Sequence, residues 1–438
     1  MNVEQRPLAI VRAPVATRSG YGDFSRDVVR HLIEYDKFDV KIHSINWGDT
    51  PMNALDENEP KDKMILDRIV RGQVQLPRPD LYVSISIPTE FEPLGKYNIG
   101  ITAGIETSVA SAQWIDACNR MDLVLTISEH SKNVFNFSKY TQQDQNKNVI
   151  GELKIQKPLE VLHNCIDTNI FKKLEYESDV EKSIREELSQ IPEKFCYLFV
   201  GHWLRGEFGE DRKNVAFLVK IFLETFRQVP GKEKPALILK TSSAGFSILD
   251  REEILNKINQ VRNSVVLDAG QTLPNIYLLH GELTDKEMNS LYNHPKVMAH
   301  VSFTKGEGFG RPLLEASISG KPVIASGWSG QLDFLDQVNA VLVGGELKPI
   351  HESSVWDTVL IRESTWFAPD MNQCANALYA VFKNYGQFKK RAGILAKENR
   401  KKFSYQTIQQ KTWELLDKYL PKFSVETKLV LPTLKKIE

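Results

Sequence analysis

Short apolar runs that alternate with helical or polar segments recur in two series, and this alternation constrains the fold more than any other sequence feature. The first series opens with an apolar run, a polar loop over residues 17–23 and an amphipathic helix over residues 24–35. Its apolar runs are 8–11, 40–45, 81–85, 98–101 and 123–127. Strands that alternate with helices predict a parallel sheet covered on both faces.

A charged stretch, residues 172–187, follows the first series, and we interpret it as an interdomain linker. The second series has apolar runs at 197–201, 236–239, 276–279, 297–301, 322–325 and 340–343. We therefore predict domains over 1–180 and 190–395, a helix over 396–424 and a tail over 425–438. The predicted fold class is α/β, with two Rossmann-like, doubly wound domains facing across a cleft. Ligands bind such sheets beyond the carboxyl ends of the strands.

Composition narrows the class of protein. The 438 residues are too many for one ordinary core and favour two domains. Lys plus Arg and Asp plus Glu each total 56, so net charge creates no global field for nucleic acid or anionic lipid. The sequence has no apolar run of about 18 residues and no signal-peptide pattern, so we expect a cytoplasmic protein without stable membrane insertion. The four scattered cysteines form no C-x-x-C pair and do not indicate zinc.

The densest cluster of chemically informative residues follows the apolar run 297–301. It reads Gly306-Glu307-Gly308-Phe309-Gly310, and Glu315 comes five residues later. The glycines permit close backbone approach to a ligand, and free amides before a helix favour anionic or hydroxyl-rich groups. Both carboxylates can accept hydrogen bonds from vicinal hydroxyls. The pattern predicts a ligand site at the carboxyl edge of the second sheet.

The string from Glu307 to Val323 resembles the E-x7-E signature of retaining glycosyltransferases of the GT-B fold, most closely glycosyltransferase family 4. The resemblance implies that Glu315 binds the ribose of a nucleotide diphosphate sugar and that Glu307 contacts the transferred sugar. It also implies that the amides of Gly308, Phe309 and Gly310 hold sugar hydroxyls and the phosphate side. By analogy with this fold, the C-terminal helix crosses back to the first domain.

A second segment resembles the family's element that binds the donor diphosphate. Phe199-Val200-Gly201 is followed by Arg212-Lys213-Asn214, but His202 stands where arginine is usual and extra residues, including Arg205, intervene. The resemblance implies that Lys213 binds the diphosphate, and Arg205 and Arg212 compete to supply the second cation. Two positive charges could stabilise a departing diphosphate electrostatically.

The first domain matches the family less closely. The loop at Gly20 resembles the glycine loop that approaches the diphosphate and the acceptor. Glu106 stands about where many members carry a histidine, and it could act as an acceptor-side base or hydrogen-bond the sugar. His130, near a predicted helix start, is interpreted as structural.

The resemblance implies a retaining glycosyltransferase that uses a nucleotide diphosphate sugar as co-substrate and needs no cofactor or metal. No two aspartates are separated by a single residue, so the D-x-D metal motif of the other major glycosyltransferase fold is absent. The expected acceptor is a hydroxyl of a carbohydrate, lipid-linked or protein molecule. Two alternatives stay open: nucleic acid as acceptor, through hydroxylated bases of viral DNA, and a non-catalytic nucleotide-sugar binding protein. Residues 1–170 carry 19 basic and 23 acidic side chains, which disfavours DNA.

Overall fold

A six-stranded parallel sheet forms the centre of the first domain in the computed structural model, which describes residues 6–72, 77–203, 209–243 and 247–423. The strand order is β2-β1-β3-β4-β5-β8. The strands are β1 (Leu8–Ala13), β2 (Asp39–Ser44), β3 (Leu81–Ile85), β4 (Tyr97–Thr102), β5 (Leu123–Thr126) and β8 (Leu159–Val161). A separate antiparallel pair comprises β6 (Tyr140–Gln143) and β7 (Val149–Leu153).

Helices cover both faces of this sheet, as the alternation predicts. They are α1 (Gly20–Glu34), α2 (Pro60–Leu66), α3 (Ala112–Asn119) and α4 (Glu129–Phe137). Ser19 caps α1, because its Oγ accepts a hydrogen bond from the Gly22 amide at 3.0 Å. Helix α1 therefore begins at a capped turn, a short loop after the carboxyl end of β1.

A second six-stranded parallel sheet has the order β11-β10-β9-β12-β13-β14. Its strands are β9 (Cys196–Val200), β10 (Ala236–Lys240), β11 (Ile276–Leu279), β12 (Val297–Ser302), β13 (Val323–Ser326) and β14 (Val341–Val343). The packed helices are α5 (Lys182–Ser189), α6 (Val215–Phe226), α7 (Ile248–Ser264), α8 (Asp285–Asn293), α9 (Arg311–Ile318) and α10 (Met371–Lys383). Strands β15 (Gly345–Pro349) and β16 (Thr365–Pro369) form an antiparallel ribbon beside the sheet.

The predicted fold class is confirmed: two doubly wound α/β halves face each other. The charged stretch interpreted as a linker differs in part from a simple linker, because α5 begins within it at Lys182. Ile184 and Leu188 on α5 are buried in the core, and this apolar pair is what holds the charged helix against the domain.

The chain returns to the first domain at its C-terminal end. Helix α11 (Tyr385–Lys402) ends at a break, and α12 (Tyr405–Tyr419) starts behind the capping residue Ser404. At the break, the Ile166 amide donates to the Phe403 carbonyl at 2.8 Å, and the Tyr405 amide donates to the Ile166 carbonyl at 3.0 Å. Helix α12 then packs on α1, where the Trp413 indole donates to the His31 carbonyl at 2.8 Å.

No helix within the described ranges is long and apolar enough to cross a membrane. All four cysteines are buried thiols.

Candidate active site

The loop after β12 and the start of α9 carry the two glutamates of the sequence motif. Gly310 precedes α9 with φ 94°, a left-handed conformation that favours glycine, and Pro312 occupies the first helical turn. Glu307 lies in the loop and Glu315 lies one turn into the helix, and both are buried, with 6% and 9% of their surface exposed. Burial of two carboxylates requires hydrogen-bonding or charged partners.

The partners of Glu307 come from the loop before α6. Lys213 Nζ lies 2.6 and 2.8 Å from the two carboxylate oxygens of Glu307. Arg212 Nη1 donates to the Gly306 carbonyl at 2.8 Å and lies 3.4 Å from Glu307 Oε2. Asn214 adopts a left-handed conformation (φ 57°) and donates to the Phe303 carbonyl at 3.1 Å, which fixes this loop against β12. The structure thus brings Lys213, Arg212 and Glu307 together.

The charge balance around Glu307 favours its ionised form. Burial alone would raise the pKa of Glu307, but the nearby Lys213 and Arg212 cations outweigh burial and lower it. A compact arrangement of two cations and one carboxylate therefore lies at the carboxyl edge of the second sheet.

The partners of Glu315 differ from those of Glu307. Arg311 Nε donates to Glu315 Oε1 at 2.9 Å, and the Tyr292 hydroxyl donates to Oε2 at 3.1 Å. Burial raises the pKa of Glu315 to about 7, although the Arg311 cation opposes this rise. The two glutamates therefore have different protonation properties.

The first domain contributes Glu106, which lies across the cleft from these residues. Glu106 Oε1 is 3.2 Å from Arg212 Nη2, so Arg212 contacts both candidate carboxylates, Glu106 and Glu307. The side chain of Glu106 is 30% exposed, more than that of Glu307 at 8%. Glu106 is therefore the site carboxylate with more access to solvent.

The backbone of residues 103–106 presses directly on the glycines of the motif. A Cβ atom on Gly306 would overlap the Glu106 carbonyl oxygen, and one on Gly308 would lie 2.5 Å from the Ala103 carbonyl oxygen. From the sequence alone, these glycines are expected to permit close approach of a ligand. In the structure, the group that approaches closely is the opposite domain's backbone.

The other predicted residues have distinct surroundings. A Cβ on Gly20 would meet no atom within 4 Å, whereas one on Gly22 would overlap the Thr17 carbonyl, so Gly22 is the glycine that the turn requires. The Phe309 ring is buried and packs against Phe334, which leaves only the Phe309 main chain to face a ligand. Arg205 lies outside the described residues.

Two histidines near the site are neutral at physiological pH. Burial lowers the pKa of His130 to about 4, and its ring packs edge-on against Trp328 at 4.7 Å between centroids. Burial and the Lys213 charge lower the pKa of His202, whose Nδ1 lies 3.3 Å from Ser242 Oγ. Neither imidazole contacts Glu307 or Glu315.

Sequence reasoning missed Arg311, Tyr292 and Ser329. The Ser329 hydroxyl accepts a hydrogen bond from the Glu307 amide at 2.9 Å. Arg311 sits four residues before Glu315, a spacing that pairs side chains on one helix face, and this was the available signal. Tyr292 and Ser329 come from separate loops and helices, and no local pattern marks them.

No group of three or more His, Cys, Asp or Glu in the described parts of the chain could hold a metal.

Comparisons with known proteins find matches to the motif-bearing segment and to the fold. Residues 271–344, which contain both glutamates, match the family described as "Glycosyl transferases group 1". A search of curated protein sequences finds no match.

Solved structures with the same architecture cover most of the chain. Sucrose-phosphate synthase from Thermosynechococcus elongatus has a TM-score of 0.61 at 14% identity, covering 94% of this chain and 99% of its own. HepE from Anabaena, in complex with UDP-glucose, has a TM-score of 0.57 at 14% identity, covering 94% and 100%. A glycosyltransferase from Rickettsia africae has a TM-score of 0.57 at 12% identity, covering 95% and 99%. The chain therefore has the two-domain GT-B fold, and its motif-bearing segment is similar to group 1 glycosyl transferases.

Proposed function

We propose that this protein is a retaining glycosyltransferase of family 4 type that moves a hexose or pentose from a nucleotide diphosphate sugar to a hydroxyl acceptor. The observation that carries the proposal is the grouping of Glu307, Glu315, Lys213 and Arg212 at one sheet edge, facing Glu106 across the cleft. A UDP-sugar is the donor class favoured, because HepE, which shares the fold, is described in complex with UDP-glucose.

In this proposal the cations act on the leaving group. Negative charge develops on the nucleotide diphosphate as the glycosidic bond breaks, and preorganised positive charges stabilise it without reorganisation. Lys213 and Arg212 are held by Glu307 and Glu106 before the donor arrives, so their charges are already in place. We infer that these two side chains replace a metal ion in this role.

The carboxylates act on hydroxyl groups. Glu315 would accept hydrogen bonds from the ribose, and Glu307 would contact the transferred sugar, with the amides of Gly308, Phe309 and Gly310 beside it. Glu106, the more exposed carboxylate, would face the acceptor hydroxyl as a base or hydrogen-bond the sugar. The acceptor would be a carbohydrate, lipid-linked or protein molecule in the cytoplasm.

The direct test is nucleotide release from a panel of UDP-, GDP- and ADP-sugars, with and without EDTA. We expect release with at least one donor, unchanged by EDTA, and a product whose anomeric configuration by proton NMR equals that of the donor. Glu315→Ala should weaken donor binding severely, whereas Glu307→Ala should lower turnover with a smaller loss of nucleotide affinity. Absence of release with every donor and candidate acceptor would contradict the proposal, and wild-type kinetics in both variants would remove the motif from the site.

A further inference from the structure

Arg311 lies among four carboxylates from three helices. Its Nε donates to Glu315 on its own helix at 2.9 Å, and its Nη1 is 3.2 Å from Asp23 Oδ2 on α1 of the other domain. The charges of Asp27 on α1 and Asp285 on α8 also act on it, and together the four carboxylates outweigh burial and raise the pKa of Arg311. With 19% of its side chain exposed, Arg311 stays charged and joins the two domains.

The connection continues from Asp23 into the loop before α1. Asp23 also pairs with Arg26, and Arg26 Nη1 donates to the carbonyls of Val15 and Thr17, both at 2.9 Å. A chain of charged hydrogen bonds and ion pairs therefore runs from Glu315, through Arg311 and Asp23, to the glycine loop of the first domain.

The groups that face Glu315 oppose one another. Arg311 favours its ionised form, while the charges of Asp285 and Asp23 favour its protonated form, and the Tyr292 hydroxyl donates to Oε2. An ionised carboxylate only accepts hydrogen bonds, so it can bind two vicinal hydroxyls, whereas a protonated one loses acceptor capacity. Without the guanidinium, the neighbouring aspartates would act unopposed.

We propose that Arg311 is a positioning residue of the donor site, which favours the charged form of the Glu315 carboxylate, orients it for ribose hydroxyls and links it through Asp23 to the first domain. The inference rests on the proposed function, in which Glu315 accepts those hydroxyls. Arg311 acts through Glu315 and touches no reacting atom.

The first test needs no ligand. Protonation of Glu315 is followed by the carboxyl stretching band in an infrared pH titration, with Glu315→Gln as the blank. Arg311→Gln should raise the midpoint by about one to three pH units, because an opposite charge in contact is removed. Asp23→Asn should lower it, because a like charge is removed.

The matched control is Asp62→Asn. Asp62 forms an ion pair with Arg30 on α1, at 2.7 Å, and its charge is not among the main influences on the pKa of Glu315. We expect a wild-type midpoint in this variant. A wild-type midpoint in folded Arg311→Gln would overturn the proposal. If Arg311→Gln does not fold, the infrared midpoints of Asp23→Asn and Arg311→Lys test the proposal instead. The midpoint of Arg311→Lys should stay near the wild-type value. Absence of a downward shift in Asp23→Asn would overturn the assignment.

The second test uses UDP-glucose, whose diphosphate does not titrate near neutrality. By calorimetry, wild-type affinity should fall as the pH drops below about 7, and Arg311→Gln should bind about tenfold more weakly at pH 7.5. Arg311→Lys should restore most of the loss. The wild type could bind no nucleotide sugar while the infrared midpoints still shift as expected. That result would contradict the proposed function but would support the effect of Arg311 on Glu315. Unaltered affinity in Arg311→Gln at every pH would contradict its role in donor binding.

Discussion

The contact between Gly308 and the first domain offers a precise perturbation. A Cβ on Gly308 would lie 2.5 Å from the Ala103 carbonyl oxygen, whereas ordinary contacts begin at 3.4 Å. Gly308→Ala therefore requires the two domains to move apart by about 1 Å at the site, and a displacement of this size costs about 100-fold in rate when it separates reacting groups. This factor corresponds to about 2.7 kcal/mol in activation free energy.

We expect Gly308→Ala to reduce kcat about 100-fold while UDP affinity changes little, because the clash lies between domains. The assay is steady-state nucleotide release, combined with calorimetric binding of UDP. Gly393→Ala is the matched control, since a Cβ there meets nothing within 4 Å on helix α11, and its kcat should equal that of the wild type. A kcat within about threefold of wild type in Gly308→Ala would refute the reasoning, because the working enzyme would then not keep this contact.

Three further predictions concern single residues. Lys213→Ala should lower the free energy of unfolding by about 3 kcal/mol in chemical denaturation, because it leaves the Glu307 carboxylate buried without its main partner. Lys213→Arg should recover part of the lost stability. An alanine variant as stable as the wild type would argue against a tight ion pair. Because the pKa of Glu307 is lowered in the folded state, its ionised form contributes stability above the unfolded pKa of about 4.3, and this stability is lost as the pH falls through the folded pKa. Glu307→Gln should therefore lose less stability than the wild type between pH 5 and pH 3. Parallel acid-unfolding profiles of the two proteins would contradict this prediction. Ser404→Ala should cost about 1 kcal/mol in thermal unfolding because it removes the cap of α12, and an unchanged Tm would show that the cap is dispensable.

The sequence predicted the parallel strands well because most of them are short apolar runs. Strands β3 and β11 begin and end at the predicted residues. Strands β6, β7 and β15 were missed, because most of their residues are exposed. Strand β16 was missed although Trp366 and Phe367 are buried, because its apolar run is short. The C-terminal helical pattern also hid the break between α11 and α12, although Ser404 is a typical N-cap residue.

The candidate site was predictable where it is local and not where it depends on packing. Glu307 and Glu315 share one loop and helix, so spacing alone placed them at one sheet edge. The pair Arg311–Asp23 joins residues from different domains that are far apart in the sequence, and no periodicity connects them. The same holds for the contact of Gly308 with Ala103, because only the assembled domains bring those backbones together.

The return of α12 to the first domain has a consequence for synthesis of the chain. Ile408, Leu415 and Leu416 on α12 are buried in the core cluster that includes residues of α1. The apolar surface under α12 therefore stays open to water while the ribosome produces the whole second domain. Exposed apolar surface of this kind makes an intermediate prone to aggregation. The N-terminal half is translated first, yet the last described helix completes its folding.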